Sequence, residues 1–514
     1  MDASSQLTTR SKWLILIAMT GSLSMIFVDQ TVVSVALPSM QEDLGLSETG
    51  MQWVVNAYIL ALAATVAIGG RIADIMGRTR AFIVGAVAFA LASILSGMSM
   101  NETWIICSRA LQGICCALMQ PASAAIVISS FQLHERGRAM ATYAGIAMVF
   151  LVLGPLIGGM LTEYQSWRWV FWINPPIAAL SIVLLLVTRL KVPPGSDRSF
   201  DVPGSLMLVI GLVALVMGLQ QVHAWGWNSL ETILSLSIGV VLLVGFVLLE
   251  TRLSRPVLRL DLFRNRFYAS DAFILFAMQF AMVVQVIFGA VFIQDGLGFS
   301  PVQAGLSMLP VLLPLLLIIH YAGRLFDRVG VRTPAMIGCG LTFIGFTAQA
   351  IVFPMMEYWM LVPGMIILGT GIGFTLSSVN TDGLSRSPAE MRGQASGLLQ
   401  TTRQVGGAFG IAVGGMVIGL FTRVQVRDNS MISASDQPET TARLTIEAVH
   451  GQEQSLTQLE SIAPELAVQA KQIMSWSVGG GYAISGLGAG AGVRVALIFM
   501  GKGRQESDQD SAST

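Results

Sequence analysis

Charge is scarce in this chain. Only 12% of its 514 residues are Asp, Glu, Lys or Arg, about half the share of a soluble globular domain. No stretch is long and polar enough to form a soluble domain by itself. Net charge is zero, so nothing points to a nucleic-acid partner. Histidine is rarer still, with four residues in all. The sequence shows no Ser/His/Asp set, no metal-ligand cluster and no phosphate-binding loop. Gly369-Thr-Gly-Ile-Gly373 lies inside an apolar run instead of after a strand. An enzyme is therefore not expected, nor a metal, an organic cofactor or an ATP site. The cysteines Cys107, Cys115, Cys116 and Cys339 all fall in apolar runs and read as small packing residues.

What the chain has instead is hydrophobic length. Apolar residues make up 54% of it, in runs of about 20, enough to cross a hydrocarbon core of ~30 Å. Fourteen spans are predicted, near 13–36, 51–71, 81–100, 104–126, 139–162, 169–189, 203–222, 231–252, 269–294, 302–323, 334–354, 358–379, 396–421 and 474–500. No small-residue cleavage site follows the first, which reads as an uncleaved helix. Loops after even-numbered spans carry Arg78 and Arg80, Arg136 and Arg138, Arg328 and Arg332, Arg386 and Arg392. Short loops after odd-numbered spans carry acids such as Asp43 and Glu102, and one basic residue, Arg168. Positive charge marks cytoplasmic loops, so both termini are expected inside. The expected class is an all-α, multi-pass protein of the inner (plasma) membrane, with lipid as its surroundings. The long segment 422–473 falls outside the cell on this reading. Leu456, Leu459 and Leu466 recur in it at roughly helical spacing, and a surface helix and disorder both stay open.

The chain also repeats itself. Gly70-Arg-Ile-Ala-Asp74-Ile-Met-Gly77-Arg78 closes the second span, and Gly323-Arg-Leu-Phe-Asp327-Arg328-Val-Gly330 closes the tenth, at a constant offset. Two six-helix halves of like orientation follow: 1–190 and 266–501. A linker at 191–265 holds the seventh and eighth spans, and 502–514 is a cytoplasmic tail. Parallel halves place a transporter's substrate site between them near the midplane. Each loop Asp sits at a helix C-terminus, where the dipole is negative, so a cation or another helix's N-terminus must answer it. For Asp74 the partners expected are Arg78, Arg80 or a helix start in the other half. Such a contact would form only while the cytoplasmic side is closed, which makes it a conformational latch.

These residues resemble a known family. The Gly-x-x-x-Asp-x-x-Gly-Arg loop is similar to the signature of the major facilitator superfamily. Asp29-Gln-Thr-Val-Val-Ser-Val-Ala-Leu-Pro38 looks like the opening motif of its fourteen-helix drug:proton antiporter branch, the EmrB/QacA type. Arg109-Ala-Leu-Gln112-Gly113, Gly154-Pro155-Leu-Ile-Gly158-Gly159 and Trp167-Arg-Trp-Val-Phe-Trp-Ile-Asn174-x-Pro176 agree. The resemblance implies a major facilitator fold and export of lipophilic or cationic compounds driven by proton influx. It also implies a periplasmic adaptor and an outer-membrane channel as partners where the cell has two membranes. Departures are Ile75 and Thr79 in place of basic residues, Phe150 in place of a glycine, and a last span with seven glycines from Gly479 to Gly492.

Ionisable groups inside a membrane are costly and are functional candidates by default. Asp29 is the first choice for proton coupling or substrate contact; bonding to Thr31 and Ser34 is the competing reading. Arg109 is expected to tune a nearby carboxylate or hold a water network, and Gln112, in the same motif, is a further candidate for proton coupling or substrate contact. Asp271 is a further candidate, expected near enough to the cytoplasmic interface to be hydrated. Gln279, Gln285, His320 and Arg403 are weaker ones. Gly154, Pro155, Gly158 and Gly159 offer a kinked, close-packing face. Gly70, Asp74, Gly77, Arg78, Gly323, Asp327, Arg328 and Gly330 are assigned to gating. The function expected is proton-coupled multidrug export; the alternative is a dedicated exporter of one metabolite or antibiotic.

Overall fold

In hydrocarbon every backbone N–H and C=O must be bonded within the protein, which leaves helices as the way to bury apolar runs of this length. A computed structural model describes residues 8–190, 200–226, 228–253, 258, 260–299, 301–428, 438–449, 458 and 464–500, and among these no strand occurs. The main helices are α1 (Thr9–Leu44), α2 (Glu48–Met76), α3 (Arg78–Gly97), α4 (Glu102–Ser130), α5 (Arg136–Tyr164), α6 (Asn174–Val187, after a turn at Trp169–Trp172) and α7 (Val202–Gln220). They continue with α8 (Leu230–Glu250), α9 (Arg266–Val291), α10 (Leu309–Val329), α11 (Arg332–Val352), α12 (Tyr358–Ser385), α13 (Arg392–Asp428) and α14 (Pro464–Phe499). Thirteen spans are separately long and apolar enough to cross a membrane; α5, bent by 44° between Leu151 and Leu156, makes a fourteenth. The bend falls on Gly154-Pro155, where proline removes a helical hydrogen bond.

Several helices outrun their predicted spans. α1 reaches Leu44 and α12 reaches Ser385, because polar ends continue the helix past the hydrocarbon while hydropathy reads only its middle. Part of the 422–473 segment is helical too: α13 runs to Asp428, Pro438–Val449 forms a short helix, and α14 begins at Pro464. Proline is tolerated at a helix start because its missing N–H would be unbonded there anyway. Leu456 and Leu459, residues 191–199 of the linker, and the tail 502–514 lie outside the described residues.

The two inserted helices pack on each other, and α7 packs against α2 and α13. Leu60 of α2, Val216 and Leu219 of α7, and Ala408 and Ala412 of α13 share one buried apolar cluster. The pair thus lines the outer side of a seam between the halves, with α8 outermost, 17% of its apolar window buried. The glycines of α14 also find a use. A Cβ on Gly479 would lie 3.0 Å from the Ala350 carbonyl, on Gly480 2.8 Å from the Phe421 ring, and on Gly492 3.0 Å from Cys339 Sγ. These glycines let α14 settle close against α11 and α13, so van der Waals contact replaces the side chains the helix lacks.

Candidate functional site

Asp29 lies at the middle of α1 and is fully buried. Its Oδ2 accepts from Arg109 Nη1 at 2.5 Å, and its Oδ1 accepts from Gln112 Nε2 at 2.9 Å and Asn174 Nδ2 at 3.1 Å. Arg109 also donates through Nε to the Val54 carbonyl at 3.0 Å and through Nη1 to Gln112 Oε1 at 2.8 Å. The Tyr58 ring lies 4.5 Å from the guanidinium carbon. Ser93 of α3 accepts from Asn174 at 3.0 Å and donates to the Phe171 carbonyl at 2.8 Å. One carboxylate therefore ties α1 to α4 and α6, while Arg109 adds α2. Of the competing partners, Thr31 donates to the Phe27 and Val28 carbonyls of its own helix, and the Ser34 side chain lies outside the described residues.

This arrangement has a chemical consequence. Three N–H donors, from Arg109, Gln112 and Asn174, point at one carboxylate. A proton arriving on Asp29 has to displace one of them and break the ion pair with Arg109. Arginine keeps its charge throughout, so a protonated Asp29 leaves a cation without its partner inside the membrane.

The two repeated loops make matching contacts at one end of the molecule. Asp74 Oδ1 accepts from Gly393 N at 3.0 Å and Oδ2 from Gln394 N at 2.8 Å, the first turn of α13. Asp327 Oδ1 accepts from Gly137 N at 2.8 Å and Oδ2 from Arg138 N at 3.0 Å, the first turn of α5. Each acid crosses to the other half and caps a helix N-terminus there, where the dipole welcomes it. Gly70 and Gly323 are where the backbones nearly touch. A Cβ would sit 2.2 Å from the Gly393 carbonyl in one case and 2.5 Å from that of Gly137 in the other. Gly77 and Gly330 end their helices at φ of 88° and 80°, which side chains resist.

The copies differ in one respect. Arg78 donates to Asp74 at 3.1 Å and also bonds Ser129 and the Ala389 carbonyl. Val331 stands at the matching place after Asp327. Arg328 does not belong to the contact as expected, but is exposed. At the opposite end, Arg168, the basic residue that broke the charge pattern, bonds Asp43 and holds its carboxyl below the usual range.

The glycine motif of α5 divides. A Cβ on Gly154 would lie 1.8 Å from Thr31 Oγ1, and one on Gly158 2.8 Å from the Val32 carbonyl, so these two admit α1. Gly159 meets nothing nearer than 3.9 Å and is not part of that contact. Phe150 lines an apolar crevice of about 410 Å³ among α1, α5 and α6. Gly158→Leu is expected to cut efflux more than tenfold, since overpacking at a backbone contact costs about 1–3 kcal/mol or more. Gly159→Leu is expected to stay within about twofold; whole-cell efflux at matched expression compares them.

Asp271 departs from expectation: it is fully buried, not hydrated. The longer α12 explains why, because it brings Asp382, also buried, alongside. Neither carboxyl oxygen of Asp271 has a hydrogen-bond partner among the described residues. Asp382 is also bonded by Arg386, one turn on. The signal was an Asp and an Arg four residues apart, read as loop. Asp271→Asn should leave the melting temperature nearly unchanged, because neither carboxyl oxygen of Asp271 has a hydrogen-bond partner among the described residues for the substitution to remove. Asp382→Asn should cost roughly 1–3 kcal/mol, because Arg386 loses its carboxylate. Thermal unfolding in detergent distinguishes them. Asn174 was visible only as part of a motif, and nothing in its spacing revealed that it faces Asp29.

The model of the Major Facilitator Superfamily matches residues 19–411. The tetracenomycin C resistance and export protein of Streptomyces glaucescens is 31% identical over 408 residues, 79% of this chain and 76% of that protein. The multidrug resistance protein Stp of Mycobacterium tuberculosis (strain CDC 1551 / Oshkosh) is 32% identical over 410 residues, 80% of this chain and 76% of that one. The cephamycin export protein CmcT of Amycolatopsis lactamdurans is 34% identical over 418 residues, 79% and 85%. Among solved structures, the proton:xylose symporter XylE bound to 6-bromo-6-deoxy-D-glucose superposes with a TM-score of 0.61 at 17% identity, covering 96% of this chain and 97% of that one. At that identity the likeness speaks for the fold alone. With the paired loops, the helix count and these relatives together, the chain belongs to the Major Facilitator Superfamily, whose members are transporters.

Proposed function

We propose that the protein is a proton-coupled exporter of small organic toxicants, working by alternating access in the plasma membrane. The observation that carries this reading is the buried Asp29–Arg109 pair, with Gln112 and Asn174 on the same carboxylate. It gives one titratable group whose protonation must rearrange helices. Export fits relatives described as resistance and export proteins. The proton gradient supplies the energy, and Asp29 takes its proton from outside and releases it inside. The loops bearing Asp74 and Asp327 face the cytoplasm, as do both termini. Small molecules and protons are the partners; an adaptor and outer channel would join only in a cell with two membranes.

The test is efflux from energised cells lacking their own pumps, with and without an uncoupler. Ethidium serves as the cationic probe and fluorescein as the anionic one. Uncoupler-sensitive efflux of either supports the reading. Retention of both by cells with verified expression would overturn multidrug export. A second reading, a dedicated exporter of one antibiotic, is favoured by relatives named for single compounds, tetracenomycin C and cephamycin.

A further inference from the structure

A polar cavity lies between the halves, walled by α1, α4 and α5 on one side and α12 and α13 on the other. It reaches Arg403, a cation on a membrane-spanning helix. Three other arginines of the molecule, Arg78, Arg109 and Arg386, each face a carboxylate. Arg403 does not. Its Nε and Nη2 donate to Gln279 Oε1 at 3.3 and 2.9 Å, and its Nη1 to Gln400 Oε1 at 3.3 Å. Both partners are neutral amides. A guanidinium has five N–H groups, so two remain without an acceptor among the described residues. No acidic side chain lines the cavity among the described residues.

Two further groups at this cavity lack a protein partner although both are buried. They are the hydroxyl of Ser377 and the side-chain carbonyl of Gln120. The cavity therefore offers a positive charge and a hydroxyl from the second half, and an acceptor from the first. Phe27 and Met148 supply apolar wall. A charge in a low-dielectric site is worth having only if something answers it. The cation of an imported or exported drug cannot answer Arg403; it would be repelled.

We propose that this cavity selects organic anions, with a carboxylate or phenolate against Arg403 and Ser377 and a donor group toward Gln120. This rests on the reading of the protein as an exporter and narrows its substrate class away from cations. Planar acid groups suit the paired N–H donors of a guanidinium. The space measures about 60 Å³ in this structure, far below the ~300 Å³ or more of a site for drug-sized molecules. The halves therefore part to admit the ligand and close on it.

The test is binding to the purified, full-length protein, which does not depend on transport. Fluorescein and rhodamine 123 share a ring system and differ in charge. Wild type is expected to bind fluorescein at least tenfold more tightly than rhodamine 123. Arg403→Gln should erase that preference, and Arg403→Lys should keep part of it. Melting temperatures verify that each variant folds. If Arg403→Gln unfolds, the comparison of Arg403→Lys and Ser377→Ala with wild type decides the matter. Equal affinity of wild type for the two dyes, or a preference unchanged by the Arg403 or Ser377 substitutions, overturns the proposal. An Arg403-dependent preference without efflux would instead leave the anion site standing and overturn the exporter reading.

Discussion

Asp29→Asn should lower uncoupler-sensitive efflux more than tenfold, and the loss should survive repair of the fold. The substitution keeps the shape of the side chain and removes its charge. One of its two polar atoms becomes an NH2 group and meets N–H donors from Arg109, Gln112 or Asn174, where the carboxylate accepted them. Arg109 is then a buried cation without its anion, a situation that costs about 3–5 kcal/mol in buried pairs. A drop in efflux alone would therefore not separate a lost proton site from a damaged protein. The double variant Asp29→Asn/Arg109→Gln separates them, since it removes both charges and returns the site to neutrality. Its melting temperature is expected to recover most of what the single variant lost. Its efflux is not expected to recover, because no titratable group remains to couple the gradient to the motion of α1. The measurement is a double-mutant cycle read twice, once by thermal unfolding and once by efflux at two imposed pH gradients. Restored, gradient-driven efflux in the double variant would reduce the pair to a structural role.

How much of this was legible beforehand depends on how local each feature is. The latch loops could be read because each acid, glycine and helix end lies within one stretch of nine residues or fewer, repeated in register. Even the partner of Asp74 was among those expected, because a helix dipole limits what can answer a carboxylate there. Arg328 shows the limit of that argument: a basic residue beside Asp327 in sequence is exposed, and Asp327 accepts from backbone N–H groups of α5. Asp29 and Arg109 stood out singly, since charge is rare in apolar runs, while their pairing did not. They are 80 residues apart, and no periodicity links them.

Asp271 and Asp382 were harder still. Hydropathy ended the twelfth span at 379, and a carboxylate beyond that point reads as loop. The helix in fact continues to Ser385, so the acid comes back against α9. The glycines of α14 stood only as a departure from the family, for the opposite reason. Glycine weakens a helix in water by about 1 kcal/mol per residue, whereas in lipid the backbone has no other way to be bonded. Arg403 was noticed as an intramembrane charge. What gives it meaning is the absence of an acid across a cavity built by both halves, a property of the fold and not of the α13 sequence.

On the alternating-access reading proposed above, closing of the end that carries Asp74 and Asp327 should fail when Gly70 and Gly323 acquire a methyl group. Gly70→Ala puts a Cβ 2.2 Å from a backbone carbonyl of α13, and Gly323→Ala puts one 2.5 Å from a backbone carbonyl of α5. Neither neighbour is a side chain that can rotate away, so the helices must separate. Separation then costs each acid its bonds to two backbone N–H groups, about 1.5–3 kcal/mol for each charged hydrogen bond at most. The closed form loses on both counts, and a shift of several kcal/mol moves its share of the population by a factor of 100 or more. Spin labels at Arg80 and Arg328, both exposed and one in each half, report the opening, with exposed Cys107 replaced by serine. In wild type the closed, short distance should be well populated. In the double alanine variant the distribution should move to the longer distance, and efflux should fall at least tenfold, because a transporter that cannot close inside cannot open outside. Asp74→Asn alone should give a smaller shift, since an amide still accepts one of the two bonds. An unchanged distance in the double alanine variant would show that these contacts accompany closure without controlling it.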